Sequence, residues 1–494
     1  MTTRRTRIRT ALAVFSIAAG ALLLAPLPAA AQDAGHEVTF AKDIAPILQR
    51  SCQNCHRPGA GAPMSLITYE DVRPWARSIK QRTGLRSKPE AMPPWYIEKD
   101  IGIQDFKNDP SLSDAEIEAI ATWVDNGAPL GNPADMPPPL EFLAADQWSI
   151  GEPDLIISSP TVEVGASDPD WWGPIGETPT GLTEDRYVAA VEQKEASERE
   201  PTTSAKRSTV GANFAIHHMI WNAVNDDRPS DEELARLREE DPAEFERRAA
   251  EAAGQGFWPV HEVGRNADHF DPRAGQLLKA GSRIAFTSAH LHSTGSHTKT
   301  RLDIAFKFHP RGYEPEYTNQ PLFAGTLNID VRGNQADQPV VAYQTLPRHA
   351  KLSLFEPHLH AAGVRQCLDA IYPNGLSETL SCSGYNHSWV RAYVYEDNAA
   401  PLLPKGTILR ITGYFDTSPA NRNVADGRNW SGLGHRSIDQ MMISLTQGMY
   451  LSDEQFAQEL AERREGLGVG EGDYVLGCPL CGNIDEDAAA QNQQ

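Results

Sequence analysis

Residues 52–56 read Cys52-Gln53-Asn54-Cys55-His56, and this stretch decides the fold of the first part of the chain. Two cysteines three positions apart can bond to the two vinyl groups of a haem, and the histidine that follows can bind its iron. A zinc site would need a second cysteine or histidine pair nearby, and the sequence offers none. The motif therefore predicts one covalent haem c with His56 as an axial ligand.

Helical signals flank this motif. Apolar residues have helical spacing within residues 40–50, just before it. Ser113 and Glu116 form a capping box that begins a later helix, and Asn126-Gly127 ends that helix. A helix carrying the motif, a loop-rich middle and a closing helix predict a small all-α cytochrome c domain over residues 32–140.

The second axial ligand is predicted to be Met92. It lies in Ala91-Met92-Pro93-Pro94-Trp95, where two prolines would hold its thioether rigidly against the iron. Met64 is the alternative, but it lies only eight residues after His56, which favours a packing role. Iron bound by histidine and methionine is saturated, which favours electron transfer.

The first 31 residues are predicted to be a signal peptide. Four arginines precede an apolar run, and Ala29-Ala30-Ala31 offers a cleavage site. Cleavage there would remove four arginines and no acidic residue, taking the net charge from −21 to −25. We therefore expect a periplasmic or secreted protein that binds no nucleic acid. No later segment is apolar and long enough to predict a membrane span in the mature chain.

After the proline-rich residues 133–139, short strand-like runs replace the helical pattern. We expect two β-sandwich, jelly-roll-like domains, at residues 148–335 and 336–450. Residues 229–253 interrupt the first as a charged insertion of two helices. Residues 451–494 are predicted to form a C-terminal helix and a tail that contains a CxxC motif.

Three histidine clusters and a late methionine pair lie in this β-rich region. They are His217-His218, His290-Leu291-His292, His358-Leu359-His360 and Met441-Met442. Residues two apart on a strand share a face, so each HxH pair can bind one metal ion, whereas adjacent histidines need a bulge to converge. Imidazole suits copper, zinc, iron or nickel, and an added thioether favours Cu(I).

The order of these ligands resembles the type II copper, ascorbate-dependent monooxygenase family, which hydroxylates peptidylglycine and dopamine. The resemblance covers residues 150–450 and implies two copper ions. His217, His218 and His292 would form the electron-handling site, with His290 as the alternative to His292. The oxygen-activating site would be His358, His360 and Met441.

Two positions depart from the family's pattern. Peptide-amidating members bind the substrate carboxylate through an arginine two residues before the HxH pair, where this chain has Glu356. Their tyrosine four residues after the methionine is Leu445 here. A peptide C-terminus is therefore not expected as substrate, and a neutral, cationic or apolar small molecule is favoured.

The remaining four cysteines are expected to form disulfides in an oxidising compartment. If Asn374-Gly375 forms a two-residue hairpin turn, Cys367 and Cys382 face one another across the two strands. Cys478 and Cys481 are predicted to form a local disulfide in the tail.

These features predict a periplasmic, haem c-linked copper monooxygenase-like oxidoreductase. It would hydroxylate a C–H bond of a small substrate with O₂, taking electrons from a periplasmic donor through the tethered cytochrome. The alternative is a non-catalytic electron-transfer or copper-binding protein. A zinc hydrolase would need a general-base carboxylate that the sequence does not show beside the histidines.

Overall fold

Helices occupy the first part of the described chain. The computed structural model describes residues 37–144, 147–200, 213–226, 230–241, 244–245, 248, 258–265, 267–470 and 473–482. The predicted signal peptide therefore lies outside the described residues, as does most of the second helix predicted in the insertion. The described helices are a π-turn (Phe40–Ile44), α1 (Ala45–Ser51), α2 (Tyr69–Val72), a 3₁₀ turn (Arg73–Trp75), α3 (Ala76–Thr83), α4 (Asp114–Asp125), a 3₁₀ turn (Pro133–Asp135), α5 (Asp231–Glu240) and α6 (Asp453–Leu467).

The helix boundaries follow from local capping chemistry. The Ser113 hydroxyl accepts from the backbone N–H of Glu116, whose carboxylate in turn accepts from the backbone N–H of Ser113, so the predicted capping box of α4 is confirmed. The helix ends at Asp125, and Gly127 adopts a positive φ of 88°. Ser230 caps α5 in the predicted insertion.

Strands occupy most of the rest of the described chain. They are β1 (Ile97–Gly102), β2 (Leu155–Ser158), β3 (Val162–Val164), β4 (Trp171–Gly173), β5 (Gly176–Pro179), β6 (Arg186–Arg199), β7 (Ile216–Val224), β8 (His261–Glu262), β9 (Ala267–His269), β10 (Ala274–Leu278), β11 (Arg283–Leu291), β12 (Thr298–Phe308), β13 (Tyr317–Pro321), β14 (Ala324–Gly325), β15 (Gln338–Thr345), β16 (His349–Phe355), β17 (Pro357–Leu359), β18 (Gly363–Ile371), β19 (Ser377–Gly384), β20 (Tyr393–Val394), β21 (Leu402–Leu403), β22 (Ile408–Phe415), β23 (Met442–Ser444) and β24 (Gln447–Leu451). The predicted β-rich architecture is confirmed at this level.

The strands form four sheets. One sheet has the order β1-β19-β18-β22-β15, and a second has the order β4-β11-β7-β8 with β5 beside β11. A small sheet has the order β14-β23-β17, and the largest is built along β2-β12-β6-β10-β13-β24-β16-β20. Among the described strands, β10 and β13 pair in parallel and the other pairs are antiparallel. The largest sheet contains strands from both predicted sandwich domains, so these two regions share main-chain hydrogen bonds.

Residues 95–107 join the helical part of the chain to the β-rich part. Strand β1 pairs with β19, opposite Ser383 and Ser381. Trp95 and Phe106 are buried in the same hydrophobic core as Leu359 and Phe415. The prediction of an all-α domain was therefore wrong for this segment, because its apolar side chains find their burial against the β-rich region.

The hairpin of β18 and β19 carries the disulfide between Cys367 and Cys382, which was predicted from the sequence. The turn differs from the predicted one: it contains three residues, with Gly375 at a φ of 85°, and shifts the register by one residue. A bulge beside Leu380 shifts the register back before the cysteines are reached. The predicted pairing is therefore right, although two compensating irregularities produce it.

The end of the described chain packs against the largest sheet. Glu459 of α6 accepts hydrogen bonds from Lys351 Nζ and from the Tyr317 hydroxyl, both at 2.9 Å. The predicted local disulfide between Cys478 and Cys481 is present, and both cysteines are buried against β13, β21 and β24. No helix in the described part of the chain is long and apolar enough to cross a membrane.

Candidate metal centre

Cys52, Cys55 and His56 follow directly from α1. The two cysteines are free thiols, and burial raises the pKa of Cys52 to about 12. His56 is buried, and its Nδ1 lies 3.2 Å from the carbonyl oxygen of Met64. Because a carbonyl only accepts, Nδ1 carries the proton and Nε2 keeps its lone pair for a metal.

Met92 and Met64 have different surroundings. The Met92 side chain is 39% exposed and lines a cleft of about 560 Å³ together with Thr83 and Leu112. Met64 packs against the helical core. Met92 therefore keeps a thioether available for a ligand, whereas Met64 already serves as packing. Cys52, Cys55 and His56 do not line this cleft.

Strands β7 and β11 bring together His217, His218 and His290. His290 faces His218 directly across the strand pair, whereas the next partners along the chain are Leu291 and Ile216. His217 is thus the extra residue of a β-bulge, which turns its side chain towards the face used by His218. One ligand atom from each of the three histidines lies within 4.8 Å of the others.

His290 occupies the position for which the sequence favoured His292. Strand β11 continues to Leu291 and so carries His290 into the sheet beside His218. His292 follows the strand, and its ring centre lies 6.1 Å from those of His217 and His290. Among the described residues, the compact three-histidine group contains His290 and not His292.

His358 lies on strand β17 and His360 directly follows the strand, and their ring centres lie 5.6 Å apart. In the pairing of β17 with β23, Leu359 lies opposite Met442, which is buried in the core and packs against Gly413. The same register continued by one residue places Met441 opposite His360, on the face that carries both histidines. Met441 therefore stays the predicted methionine ligand, because this register would put it on the same side of the strand pair as the histidines.

Three of these histidines have partners that set the orientation of their rings. His358 Nδ1 lies 3.1 Å from Glu262 Oε1, and His360 Nδ1 lies 3.3 Å from the carbonyl oxygen of Asp439. In both rings Nδ1 donates the hydrogen bond, so Nε2 is free to bind a metal. His290 Nε2 lies 3.1 Å from Asp170 Oδ2, which leaves Nδ1 as its unprotonated nitrogen, and Nδ1 in turn lies 3.2 Å from the Ser437 hydroxyl.

The structure brings the two predicted ligand sets into one cluster, and His387 lies between them. Its ring is stacked 4.8 Å from that of His217 and lies 6.3 Å from that of His360. The sequence analysis missed His387 because it is a single histidine in the loop after β19. Its nearest sequence signal is the turn-forming Asn386-His387-Ser388, which does not indicate a ligand.

The cluster favours neutral imidazoles. Burial, followed by neighbouring histidines, lowers the pKa of His217 and His218 well below the ordinary range. The same causes lower the pKa of His360 to about 2 and that of His387 to about 3. Neutral imidazole is the metal-binding form, so protons compete less for the metal at these four histidines. His358 is the exception: burial lowers its pKa, but the hydrogen bond to Glu262 and the charge of Glu262 outweigh burial and raise the pKa above its ordinary value.

Glu356 does not face a substrate. Its side chain is fully buried and forms an ion pair with Arg265, which also binds Asp268 at 2.6 Å. The sequence interpretation that Glu356 would repel a substrate carboxylate requires an accessible side chain, and this carboxylate is buried against Arg265. Leu445, the second departure from the family pattern, is buried beside Glu356 and donates its backbone N–H to the Glu356 carbonyl.

The residues present fit the two predicted cofactors. In the histidine cluster, His217 Nδ1 and His387 Nδ1 are buried and have no hydrogen-bond partner, as expected for atoms that bind a metal. Imidazole and thioether are donors that copper accepts. At the CxxCH motif, two free thiols and an oriented His56 are the donors that a covalent haem requires.

Direct contacts join the segment after Met92 to the histidine cluster. The Tyr96 hydroxyl accepts from Asn386 Nδ2 at 3.1 Å, and His387 is the next residue. The Arg391 guanidinium lies 5.3 Å from the centre of the Trp95 ring. Burial raises the pKa of Cys55, and the charge of Arg391 is close enough to oppose this effect in part. Packing, rather than a flexible tether, thus places the CxxCH region beside the histidines.

No protein-family model and no curated protein matches the sequence. Solved structures with some likeness include the major capsid protein P2 from bacteriophage PM2, with 9% identity and a TM-score of 0.26 over 58% of this chain and 100% of that one. The structure of the infectious bursal disease virus Gx strain has 6% identity and a TM-score of 0.15, over 64% of this chain and 90% of that one. Likenesses this distant identify neither a family nor a function.

Proposed function

We propose that this protein is a periplasmic, haem c-linked, copper monooxygenase-like oxidoreductase. The observation that carries the proposal is the convergence of His217, His218 and His290 with His358 and His360 in one cluster. These residues lie far apart in sequence, and three separate strands bring them together. Two disulfides among the described residues suit the oxidising compartment that this proposal requires.

In the proposed reaction, one atom of O₂ enters a C–H bond of a small substrate and the other becomes water, which consumes two electrons and two protons. A haem at Cys52, Cys55, His56 and Met92 would supply electrons singly, and copper at the two histidine sets would supply the reductive chemistry of O₂. A periplasmic electron donor would reduce the protein again.

The side chains of the chain itself have defined tasks in this proposal. Glu262 and the Asp439 carbonyl fix the rings of His358 and His360, so that both keep Nε2 free. Asp170 and Ser437 hold the His290 ring from its two sides, so Nδ1 would exchange the Ser437 hydroxyl for the metal. The arginine that anchors a peptide carboxylate in the resembling family has no counterpart at Glu356, so a neutral or apolar substrate is favoured.

A non-catalytic electron-transfer or copper-binding role is the second candidate, and one observation favours it. Two clefts border the candidate sites: the one beside Met92, and one of about 430 Å³ that includes Asp170 and Leu291. Neither is lined by His358 or His360. A monooxygenase needs room for a substrate beside the oxygen-activating ligands.

Incorporation of oxygen from O₂ into a product separates the two candidate functions. The copper-loaded holoprotein is reduced, mixed with isotopically labelled O₂ and a panel of small neutral and apolar substrates, and the products are analysed by mass spectrometry. The monooxygenase proposal predicts label in a hydroxylated product and its loss in His358→Ala, but not in the distant surface variant His297→Ala. Labelled product of unchanged yield from His358→Ala would contradict the proposal.

A further inference from the structure

His387 is held in the cluster by its own loop. Asn386 donates to the Tyr96 hydroxyl at 3.1 Å and accepts from the Ser388 backbone N–H at 3.1 Å. The Trp389 backbone N–H donates to the Asn386 carbonyl at 2.9 Å. These contacts fix the residue before and the residues after His387, so its ring lies against His217 without a side-chain hydrogen bond of its own.

The nitrogen atoms of this stacked pair are the unusual feature. Nδ1 of His387 and Nδ1 of His217 are both shielded from solvent and both lack a hydrogen-bond partner. Other buried side-chain atoms of the described residues also lack a partner, but these two are imidazole nitrogens in adjacent stacked rings. A buried polar atom without a partner costs about 1–3 kcal/mol, so the pair calls for a shared explanation. A metal ion bound to both nitrogens would satisfy them.

A metal ion shared with His387 requires the cluster to contract. Two nitrogens bound to one metal at about 2.0–2.1 Å lie no more than about 4.2 Å apart even when they are trans to each other. The ligand atoms of His217, His218 and His290 lie within 4.8 Å of one another, and His387 is outside that group, so its ring must move towards the other three before all four can bind one metal. His387 is nearer to His217, at 4.8 Å between ring centres, than to His360, at 6.3 Å.

We propose that His387 is a fourth metal ligand of the first set, beside His217, His218 and His290. Four imidazoles close the coordination of that metal, whereas His358, His360 and Met441 leave a position open at the second set. The first set is then restricted to storing an electron, and the second set alone can bind an external molecule. This inference rests on the proposed function, because it states which copper site stores an electron and which binds an external molecule.

The test uses full-length holoprotein in which His358→Ala removes copper from the second set, so that the remaining signal reports the first. Copper content is measured by elemental analysis, copper affinity by competition with a chelator, and coordination by electron paramagnetic resonance during an azide titration. With His387 present, azide should leave the spectrum unchanged. With His387→Ala added, azide should bind and shift the spectrum.

His387→Ala should lower copper affinity at the first set by at least about 10- to 100-fold. That is the loss typical when a residue that only orients a ligand is removed. Added imidazole should reverse both effects in the His387→Ala protein, which a folding defect would not allow. His387→Gln provides a second variant that preserves bulk and polarity, and His297→Ala is the matched histidine control.

The results distinguish a failure of the His387 assignment from a failure of the proposed function. A first-set copper with the same affinity, spectrum and azide response with and without His387 would overturn the inference and leave the proposed function intact. A wild-type protein that holds no copper after loading would overturn both.

Discussion

Replacement of Glu262 provides a quantitative test of how the second ligand set is built. Glu262 is 2% exposed, lies opposite His218 in the pairing of β7 with β8, and contacts His358 Nδ1 at 3.1 Å. In Glu262→Ala, the His358 ring loses the acceptor that fixes both its orientation and the position of its proton. Removing such a partner lowers metal affinity about 10- to 100-fold, which corresponds to about 1.4–2.8 kcal/mol.

Glu262→Gln retains an oxygen at the same reach but removes the negative charge. We therefore expect copper affinity at the second set to fall about tenfold in Glu262→Gln and about 100-fold in Glu262→Ala. Both affinities are measured by Cu(I) competition with a chelator, and the first-set copper is the internal control. Wild-type affinity of the second set in Glu262→Ala would refute the idea that this carboxylate orients His358.

Three further predictions concern ligand identity and stability. His290→Ala should remove copper from the first set, whereas His292→Ala should retain it, as measured by elemental analysis. The reverse result would identify His292 as the ligand, as the sequence favoured. Replacing both cysteines of the β18–β19 hairpin with alanine should cost about 3 kcal/mol of unfolding free energy in urea, because the disulfide spans 15 residues; an unchanged midpoint would contradict this. Lys351 lowers the pKa of Glu459 below its ordinary 4.5 in spite of the opposing effect of burial. The ionised Glu459 carboxylate therefore stabilises the fold at pH values above its ordinary pKa, and this stabilisation is lost as the pH falls through the lowered pKa. Glu459→Gln should unfold more easily than the wild type at neutral pH, with the difference shrinking in acid; a pH-independent difference would argue against the ion pair.

Local chemistry made part of the fold predictable. The capping box at Ser113 begins α4 because the hydrogen bonds involved lie within four residues. His358 and His360 lie close together because they are two residues apart in extended backbone at the end of β17. In each case the determining interaction lies within a few residues of sequence.

Features that depend on distant contacts were not predictable from the sequence. The strand at residues 97–102 forms because β19 offers an edge and the adjoining core accepts Trp95 and Phe106. His290 joins the cluster because β11 extends beside β7 as far as Leu291. His387 and Glu262 come from separate loops or short strands, and only the folded sheets place them beside the ligands.

Metal and haem content of the purified holoprotein, with an electron paramagnetic resonance spectrum of the oxidised sample, decides whether the chain binds haem c and copper. Elemental analysis gives copper and iron per chain, and the spectrum gives the coordination type of each copper. The account predicts one haem and two coppers of type II character per chain. One haem with no copper, even after copper loading, would contradict it.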